Sequence, residues 1–171
     1  MITRHHTSEE KHSKAIYSDC EAYRYCLTRR WSDGPVVNFI MLNPSVADET
    51  KNDPTIERCE RRARMLGFCA YSITNVFAWR ATDPRDLRRA DNPEGPENRS
   101  VVEDAAREAD LVIAAWGVHG AHFAQGPSTA KRLRDQDLIL HHLGLTKDGH
   151  PRHPLYVSFS QQPVVWSDAR S

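Results

Sequence analysis

The chain has 171 residues, of which 39% are hydrophobic and 27% charged. This ordinary globular composition excludes a collagen-like, low-complexity or wholly disordered protein. The 23 Lys and Arg residues are matched by 23 Asp and Glu residues, which excludes a protein that coats nucleic acid through an overall basic field.

The N-terminal segment, residues 1–13, is polar and is predicted to be a flexible leader, with a single α/β domain over residues 14–171. It lacks the apolar stretch of a secretory signal, and no apolar run reaches the ~20 residues of a membrane helix, so we predict a cytoplasmic protein without a membrane partner. The short β-prone segments 15–18 and 23–31 are expected to pair as a hairpin at a sheet edge. Residues 36–42 (VVNFIML) form an apolar run typical of a strand buried on both faces of a parallel sheet.

Strands and helices alternate through the rest of the chain. A helix is predicted to begin at about Asp53 or Pro54 and to end at Leu66, and another is predicted to begin near residue 96. Further core strands are predicted at 70–77 and 111–116; residues 137–145 fit a strand or a short helix, and 155–159 fit a strand. This order indicates a three-layer α/β/α sandwich with a mainly parallel central sheet.

Polar, turn-forming residues are concentrated where the predicted core strands end. NPSVAD follows the first strand, ATDPRD follows the second, and Trp116 and Gly117 end the third. In parallel α/β sheets, ligands bind in the crevice beyond the carboxyl ends of the strands. The sequence therefore predicts a binding site at this edge of the sheet.

The loop after the first core strand supplies four candidate site residues. Asn43 follows the strand directly, Pro44 stiffens the turn, and Ser45 and Asp48 can bind backbone amides or a ligand. The structural alternative is a turn that caps the next helix.

The second strand and its loop supply three more candidates. Asn75 interrupts an apolar strand, and a buried carboxamide costs free energy unless its donors and acceptors are satisfied. It could brace a neighbouring loop or pair with a base edge. Arg80 and Asp83 either form an internal salt bridge or hold a phosphate or ribose.

The late loop GHPRHP concentrates cationic or potentially cationic groups, because His150, Arg152 and His153 fall within four residues. An anionic partner, either a phosphate or a departing base anion, would relieve their repulsion. The alternative is a surface turn with incidental histidines. We predict that this loop approaches Asn43 and Asn75 across the crevice.

Motifs for nucleotide phosphates, dinucleotides and hydrolase nucleophiles are absent from the sequence. The four cysteines form no CxxC pair, and the paired histidines lack an evident third ligand, so neither a metal nor a cofactor is predicted. Arginines crowd residues 58–64 and 85–89, which form either solvated faces or contacts to a polyanion.

Several segments between about residue 36 and residue 157 resemble the DUF1643 family of uncharacterised proteins. They are FIMLNPSVADETKNDPTIERC, TNVFAWRATDPRDL, GPEN, AAWGVHG and LGLTKDGHPRHPLY.

The order of motifs is also similar to the uracil-DNA glycosylase superfamily, and this resemblance implies an α/β/α sandwich. Leu42-Asn43-Pro44-Ser45 resembles the Ile-Asn-Pro-Gly loop of its mismatch-specific branch. Ile73-Thr74-Asn75-Val76 resembles a stretch of its thermophilic branch whose Asn reads the uracil edge. His153-Pro154-Leu155 resembles the start of a late motif whose His supports leaving-group stabilisation.

Two classes of function remain open. The first is an enzyme acting on a nucleobase or its N-glycosidic bond, in DNA or in a nucleotide. The resemblance then implies that Asn43 positions the attacking water, Asn75 pairs with the base and His153 stabilises the departing base anion. The second is a non-catalytic module that binds a modified base, a nucleotide or nucleic acid, with DNA the expected polymer. The remaining predicted substrate-binding residues are Pro44, Ser45, Asp48, Arg80, Asp83, Trp116, Gly117, His150 and Arg152.

Overall fold

The computed structural model describes residues 1–167 and places eight strands of that part of the chain in one sheet. The strands are β1 Ile2–Thr7, β2 His12–Tyr17, β3 Arg24–Arg30, β4 Val36–Met41, β5 Ala70–Asn75, β6 Leu111–Ala114, β7 Leu140–His142 and β8 Val164–Val165. The helices are α1 Pro54–Met65, α2 Pro84–Arg89, α3 Asn98–Glu108 and α4 Gln125–Arg134, with 3₁₀ segments at Val118–Ala124 and Pro154–Tyr156.

The strand order is β1-β2-β3-β5-β4-β6-β7-β8. Four of the seven pairings, β1/β2, β2/β3, β3/β5 and β7/β8, are antiparallel, whereas β5/β4, β4/β6 and β6/β7 are parallel. The predicted three-layer α/β/α sandwich with a mainly parallel sheet is therefore wrong, because the single sheet is mixed and mostly antiparallel. The prediction was based on the long apolar runs that form β4, β5 and β6. Most of the antiparallel pairings involve other strands, namely β1, β2, β3 and β8.

The segment expected to be a flexible leader, residues 1–13, contains β1 and the start of β2. The side chains of β1 are mostly exposed, so its sequence carries no apolar alternation. Its backbone pairs with β2 in register from Ile2↔Tyr17 to Thr7↔His12. Main-chain hydrogen bonds of this kind leave little trace in a hydrophobicity pattern. The predicted pairing of 15–18 with 23–31 is present as β2/β3, with β1 outside it.

The core lies on both faces of β4, β5 and β6. On one face, Phe39 and Ile73 pack with the buried side of α1. On the other face, Ile40 packs with Val102 of α3 and Leu133 of α4. Burial from both sides explains why these strands are continuous apolar runs, and it confirms core strands within 36–42, 70–77 and 111–116.

The helix predicted from about residue 54 is confirmed as α1. Asp53 caps it, because a carboxylate oxygen accepts a hydrogen bond from the Ile56 N–H at 2.9 Å, and Pro54 occupies the first turn. Within the described residues, no helix is long and apolar enough to cross a membrane.

The strand predicted over 155–159 is wrong, since a 3₁₀ turn occupies Pro154–Tyr156. Proline cannot donate a ladder hydrogen bond, and its fixed φ favours a turn. The carbonyl of Val157 is instead bound by two arginines of α1, Arg58 at 2.6 Å and Arg62 at 3.2 Å.

Candidate functional site

A cavity of about 630 Å³ lies beyond the carboxyl ends of β4, β5 and β6, on the side of the sheet covered by α1. The predicted site residues that line it are Asn43, Ser45, Asn75, Trp116, Gly117, Arg152 and His153. Although the predicted fold class is wrong, the parallel part of the sheet still gathers three loops at one edge. The late loop reaches the same cavity as Asn43 and Asn75.

Two predicted site residues cap local structure instead. The carboxylate of Asp48 accepts hydrogen bonds from the backbone N–H groups of Thr50 and Lys51, both at 2.8 Å. Asp83 caps α2 and forms an ion pair with Arg85 at 2.8 Å. Asp48 therefore adopts the structural alternative considered for it, a local turn.

The Arg80–Asp83 salt bridge, one of the two alternatives considered for these residues, is not found within residues 1–167. The Arg80 guanidinium lies over the ring of Tyr17, 5.3 Å from its centroid, and donates to the carbonyl of Glu21 at 3.3 Å. Pro44 is not among the cavity-lining residues, and His150 lines a second cavity of about 910 Å³. The late loop thus places Arg152 and His153 at the first cavity and His150 at the second.

Asn75 is the most unusual polar residue of the site. It is 1% exposed, and within residues 1–167 neither Nδ2 nor Oδ1 of its side chain has a hydrogen-bond partner. Its backbone is firmly held, because its carbonyl accepts from Nδ2 of Asn98 at 2.7 Å. Gln125 in turn donates to the next carbonyl, that of Val76, at 3.1 Å. A rigid backbone thus presents an unsatisfied carboxamide to the cavity, and buried groups of this kind call for an explanation.

Asn43 braces the loops of the cavity. Its Nδ2 donates to the carbonyl of Ala81 at 2.7 Å and to that of Pro44 at 3.1 Å. The N–H of Ala81 donates back to the Pro44 carbonyl at 3.0 Å. The loop after β4 is thereby tied to the loop after β5, and Asn43 has a structural role whatever else it does.

His153 lies beside the loop that follows β6. Gly117 has φ of +71°, and a Cβ built there would lie 3.5 Å from the Cβ of His153. The N–H of Gly117 also donates to the carbonyl of Pro151 at 2.9 Å. A Cβ at 3.5 Å would be in ordinary van der Waals contact, so glycine at 117 is favoured by the positive φ.

The imidazole of His153 is neutral at pH 7. Burial lowers its pKa, and the nearby Asp53 carboxylate only partly opposes that effect. Nδ1 accepts a hydrogen bond from the Leu155 N–H at 3.3 Å, so the proton is assigned to Nε2. His153 can therefore offer a ligand an N–H donor without a full positive charge.

Trp116 forms a wall of the cavity and is 1% exposed. Two glycines make room for its indole, because a Cβ at Gly120 or at Gly126 would overlap the ring. The close approach of these two backbones holds the ring in place. Its apolar surface suits a flat ligand.

The sequence analysis missed two charged residues that line the cavity. Arg24, at the start of β3, is 1% exposed, and its Nη1 donates to the carbonyl of Ala47 at 2.5 Å. Asp53 was recognised only as the start of a helix, and its carboxylate also accepts from the Ala47 N–H at 3.3 Å. A charged residue inside the β-prone segment 23–31 was the available signal for Arg24, whereas the pattern around Asp53 indicates only a cap.

The arginines of α1 were considered as contacts for a polyanion, and two of them bind the protein itself. Arg58 donates to the carbonyls of Pro154 and Val157, and Arg62 donates to those of Val157, Ser158 and Gln161. They hold the segment that follows His153 against α1. These guanidinium groups are therefore occupied by structural contacts.

Metal binding was also considered for the histidines. Among residues 1–167, no group of three or more His, Cys, Asp and Glu side chains is arranged to hold a metal ion.

No curated protein and no solved structure shows a significant match to the chain. None of these comparisons supports the resemblance to the uracil-DNA glycosylase superfamily. A family model described as "Protein of unknown function (DUF1643)" matches residues 24–155, a stretch that runs from Arg24 to Leu155 and includes Asn43, Asn75 and His153. Because this match covers more than half of the sequence, the chain belongs to the DUF1643 family.

Proposed function

We propose that the protein recognises a nucleobase or nucleotide in the cavity at the carboxyl ends of β4, β5 and β6. The observation that carries the proposal is Asn75, whose Nδ2 and Oδ1 both lack a partner within residues 1–167. A carboxamide offers one donor and one acceptor side by side, and the edges of nucleobases present the matching pair. A ligand with such an edge satisfies both atoms at once.

The size and lining of the cavity support the same class of ligand. Its volume of about 630 Å³ lies within the ~300–1,000 Å³ range of small-molecule sites. Trp116 supplies an aromatic wall, and Met41 and Ile73 add apolar surface. A flat heterocycle can lie against these side chains while its edge pairs with Asn75.

His153 supplies a further donor. With Nδ1 accepting from Leu155 N–H, Nε2–H is available to a carbonyl oxygen or ring nitrogen of the base. Because burial lowers the pKa of His153, this donor is present at pH 7 without the repulsion that a second full charge beside Arg152 would add.

Binding without cleavage is the simplest form of this function, and one observation favours a second candidate, hydrolysis of the N-glycosidic bond. The Asp53 carboxylate lines the same cavity as His153. In that reaction, the oxygen of a water molecule attacks the anomeric carbon, and the Asp53 carboxylate takes a proton from that water. The bond to the base breaks, and the base leaves as an anion that accepts a hydrogen bond from Nε2–H of His153. Asp53 thereby replaces Asn43 as the group acting on water, since a carboxamide is not basic.

The test is calorimetric titration of nucleobases, nucleosides and nucleoside monophosphates into the wild-type protein and the Asn75→Leu variant. Leucine has nearly the same shape as asparagine but no polar atoms, so it keeps the packing. We expect at least one base to bind the wild type and Asn75→Leu to lose that binding. Equal binding by both proteins, or no binding to the wild type, contradicts the proposal.

Hydrolysis is tested on the same ligands by chromatography of released free base. Release that is lost in Asp53→Asn, while ligand binding remains, supports the enzyme. Binding without any released base assigns the protein to the non-catalytic class.

A further inference from the structure

Arg24 carries a buried charge that forms no ion pair within residues 1–167. Its side chain is 1% exposed, Nη1 donates to the carbonyl of Ala47, and Nε has no partner in residues 1–167. Among those residues no carboxylate oxygen lies within 4.0 Å of its guanidinium. Buried charges in proteins are normally paired, because removal from water is costly.

Two other buried arginines show how hydrogen bonds offset the free-energy cost of burying a guanidinium elsewhere in the protein. Arg29, on the same strand, donates to Oδ1 of Asn52 at 2.7 Å and to the carbonyl of Asp48 at 2.8 Å. Arg62 donates to three carbonyls of the segment after His153. Each of these guanidinium groups bonds through two nitrogens, and its third nitrogen has no partner within residues 1–167. Arg24 bonds to one carbonyl through one nitrogen.

The charged groups around Arg24 are of both signs. Arg152 lines the same cavity, and Arg80 lowers the pKa of Arg24, whereas Asp53 raises it. Asp53 is the one acidic side chain among the described lining residues, and two backbone N–H groups already bind its carboxylate. Burial lowers the pKa of Arg24 to about 10, so its guanidinium remains charged at pH 7. An anion is the ligand that these charges favour.

Arg24 and Asn75 lie at the same edge of the sheet. β3 runs antiparallel to β5, so the start of β3 meets the end of β5, and the N–H of Arg24 donates to the carbonyl of Ala78 at 3.0 Å. Both side chains line the cavity. One ligand can therefore reach the carboxamide with a base and the guanidinium with an anionic group.

We propose that Arg24 binds the phosphate of a nucleoside monophosphate whose base is held by Asn75. The assignment of the base rests on the function proposed above, whereas the assignment of the anion rests on Arg24 alone. A guanidinium presents parallel N–H donors that match two phosphate oxygens. Because Arg24 is almost fully buried, a terminal phosphate reaches it more readily than a phosphodiester inside a polymer, which would bring nucleotides on both sides.

The experiment compares a nucleoside with its own 5′-monophosphate by calorimetry, for each of the common bases. With the wild type, we expect the monophosphate to bind about ten- to a hundredfold more tightly, the gain typical of hydrogen bonds to a charged group. With Arg24→Met, the two ligands should bind equally. The control Arg89→Met removes the same charge from the exposed face of α2 and should keep the wild-type preference.

If Arg24→Met does not fold, the anion site can still be tested by measuring the melting temperature of the wild type alone. Inorganic phosphate, compared with chloride at equal ionic strength, should raise the melting temperature because it binds only the folded state. Failure of phosphate to raise it, together with equal binding of nucleoside and monophosphate, overturns the proposal. A single-stranded oligonucleotide without terminal phosphates that binds more tightly than the monophosphate also overturns it.

The results separate this proposal from the proposed function. If phosphate stabilises the protein but Asn75→Leu binds every nucleotide as the wild type does, Arg24 is an anion site and the base recognition is wrong. If nucleosides and monophosphates bind equally and Asn75→Leu abolishes both, the base recognition stands and the anion site is wrong.

Discussion

The middle of the sheet and its carboxyl edge each bury an asparagine, and the two side chains are satisfied differently. In the middle of β4, Nδ2 of Asn38 donates to the hydroxyl of Ser72 at 2.9 Å and lies 3.3 Å from that of Thr74, while its Oδ1 has no partner within residues 1–167. At the end of β5, Asn75 has neither a donor nor an acceptor partner within residues 1–167. Both residues are at most 1% exposed, so the difference does not come from exposure at the protein surface.

The two buried arginines of β3 show a similar contrast. Arg29, at the end of the strand far from the cavity, binds the loop that contains Asp48 and Asn52. The side chain of Arg24, at the cavity end, makes a single hydrogen bond within residues 1–167. The polar groups away from the cavity therefore stabilise the protein, whereas our proposal is that a ligand completes those at the carboxyl edge. Substitutions in the two regions should have opposite consequences.

The largest difference in the free energy of unfolding is expected between substitutions of Arg29 and of Arg24. Arg29→Met leaves Asn52 and the Asp48 carbonyl without their donor and should lower the free energy of unfolding by about 3 kcal/mol. Arg24→Met loses one hydrogen bond but also removes a buried charge that forms no ion pair within residues 1–167, so its change should stay within about 1 kcal/mol. Urea denaturation in phosphate-free buffer measures both. Equal destabilisation by the two substitutions would mean that Arg24 is a structural residue.

Replacing Asn38 and replacing Asn75 should change the free energy of unfolding in opposite directions. Asn38→Leu removes a satisfied donor and should lower the free energy of unfolding by about 2 kcal/mol. Asn75→Leu removes two unsatisfied polar atoms and should raise it by about 1 kcal/mol in the absence of ligand. Thermal melts of the two variants beside the wild type test this. A loss of stability in Asn75→Leu comparable to that in Asn38→Leu would show that Asn75 is already partnered in solution.

The smallest effect is the pH dependence that His153 contributes. Burial lowers its pKa in the folded state, so folding favours the neutral ring. Its contribution to stability is complete above the unfolded pKa of about 6.5 and is lost as the pH falls through the lower folded value. Between pH 7.5 and 5.5, the melting temperature of His153→Gln should therefore fall less than that of the wild type.

The matched control for this prediction is His150→Gln, which removes a histidine that lies outside the cavity. This variant shows whether the changed pH dependence of the melting temperature is specific to His153 or follows from the loss of any histidine. An identical pH profile for wild type and His153→Gln contradicts the account of a buried neutral ring.

Some of the fold could be predicted because double-sided burial leaves a clear pattern. The segments around Phe39, Ile73 and Ile113 read as core strands since both faces of the sheet are covered there. The sheet class was wrong because β1 is polar and β8 has only two exposed residues. Strands of that kind are fixed by backbone pairing with a neighbour, which a single sequence does not display.

The candidate site could be predicted only in part, for a similar reason. Asn75 was identifiable because a carboxamide inside an apolar strand is unusual. The importance of Arg24 depends on which groups surround its guanidinium, and those come from distant parts of the chain. Asp53 has the sequence signature of a helix cap, and that is also one of its roles.

The central claim is that the unsatisfied carboxamide of Asn75 is completed by a base edge, and a crystal structure with a bound nucleoside monophosphate tests it most directly. The account predicts that Nδ2 of Asn75 lies about 3 Å from an acceptor of the base and that Oδ1 lies about 3 Å from a donor of the base. It also predicts that the phosphate contacts the guanidinium of Arg24. A nucleotide bound outside this cavity, or one bound inside it with Asn75 making no polar contact, would contradict the claim.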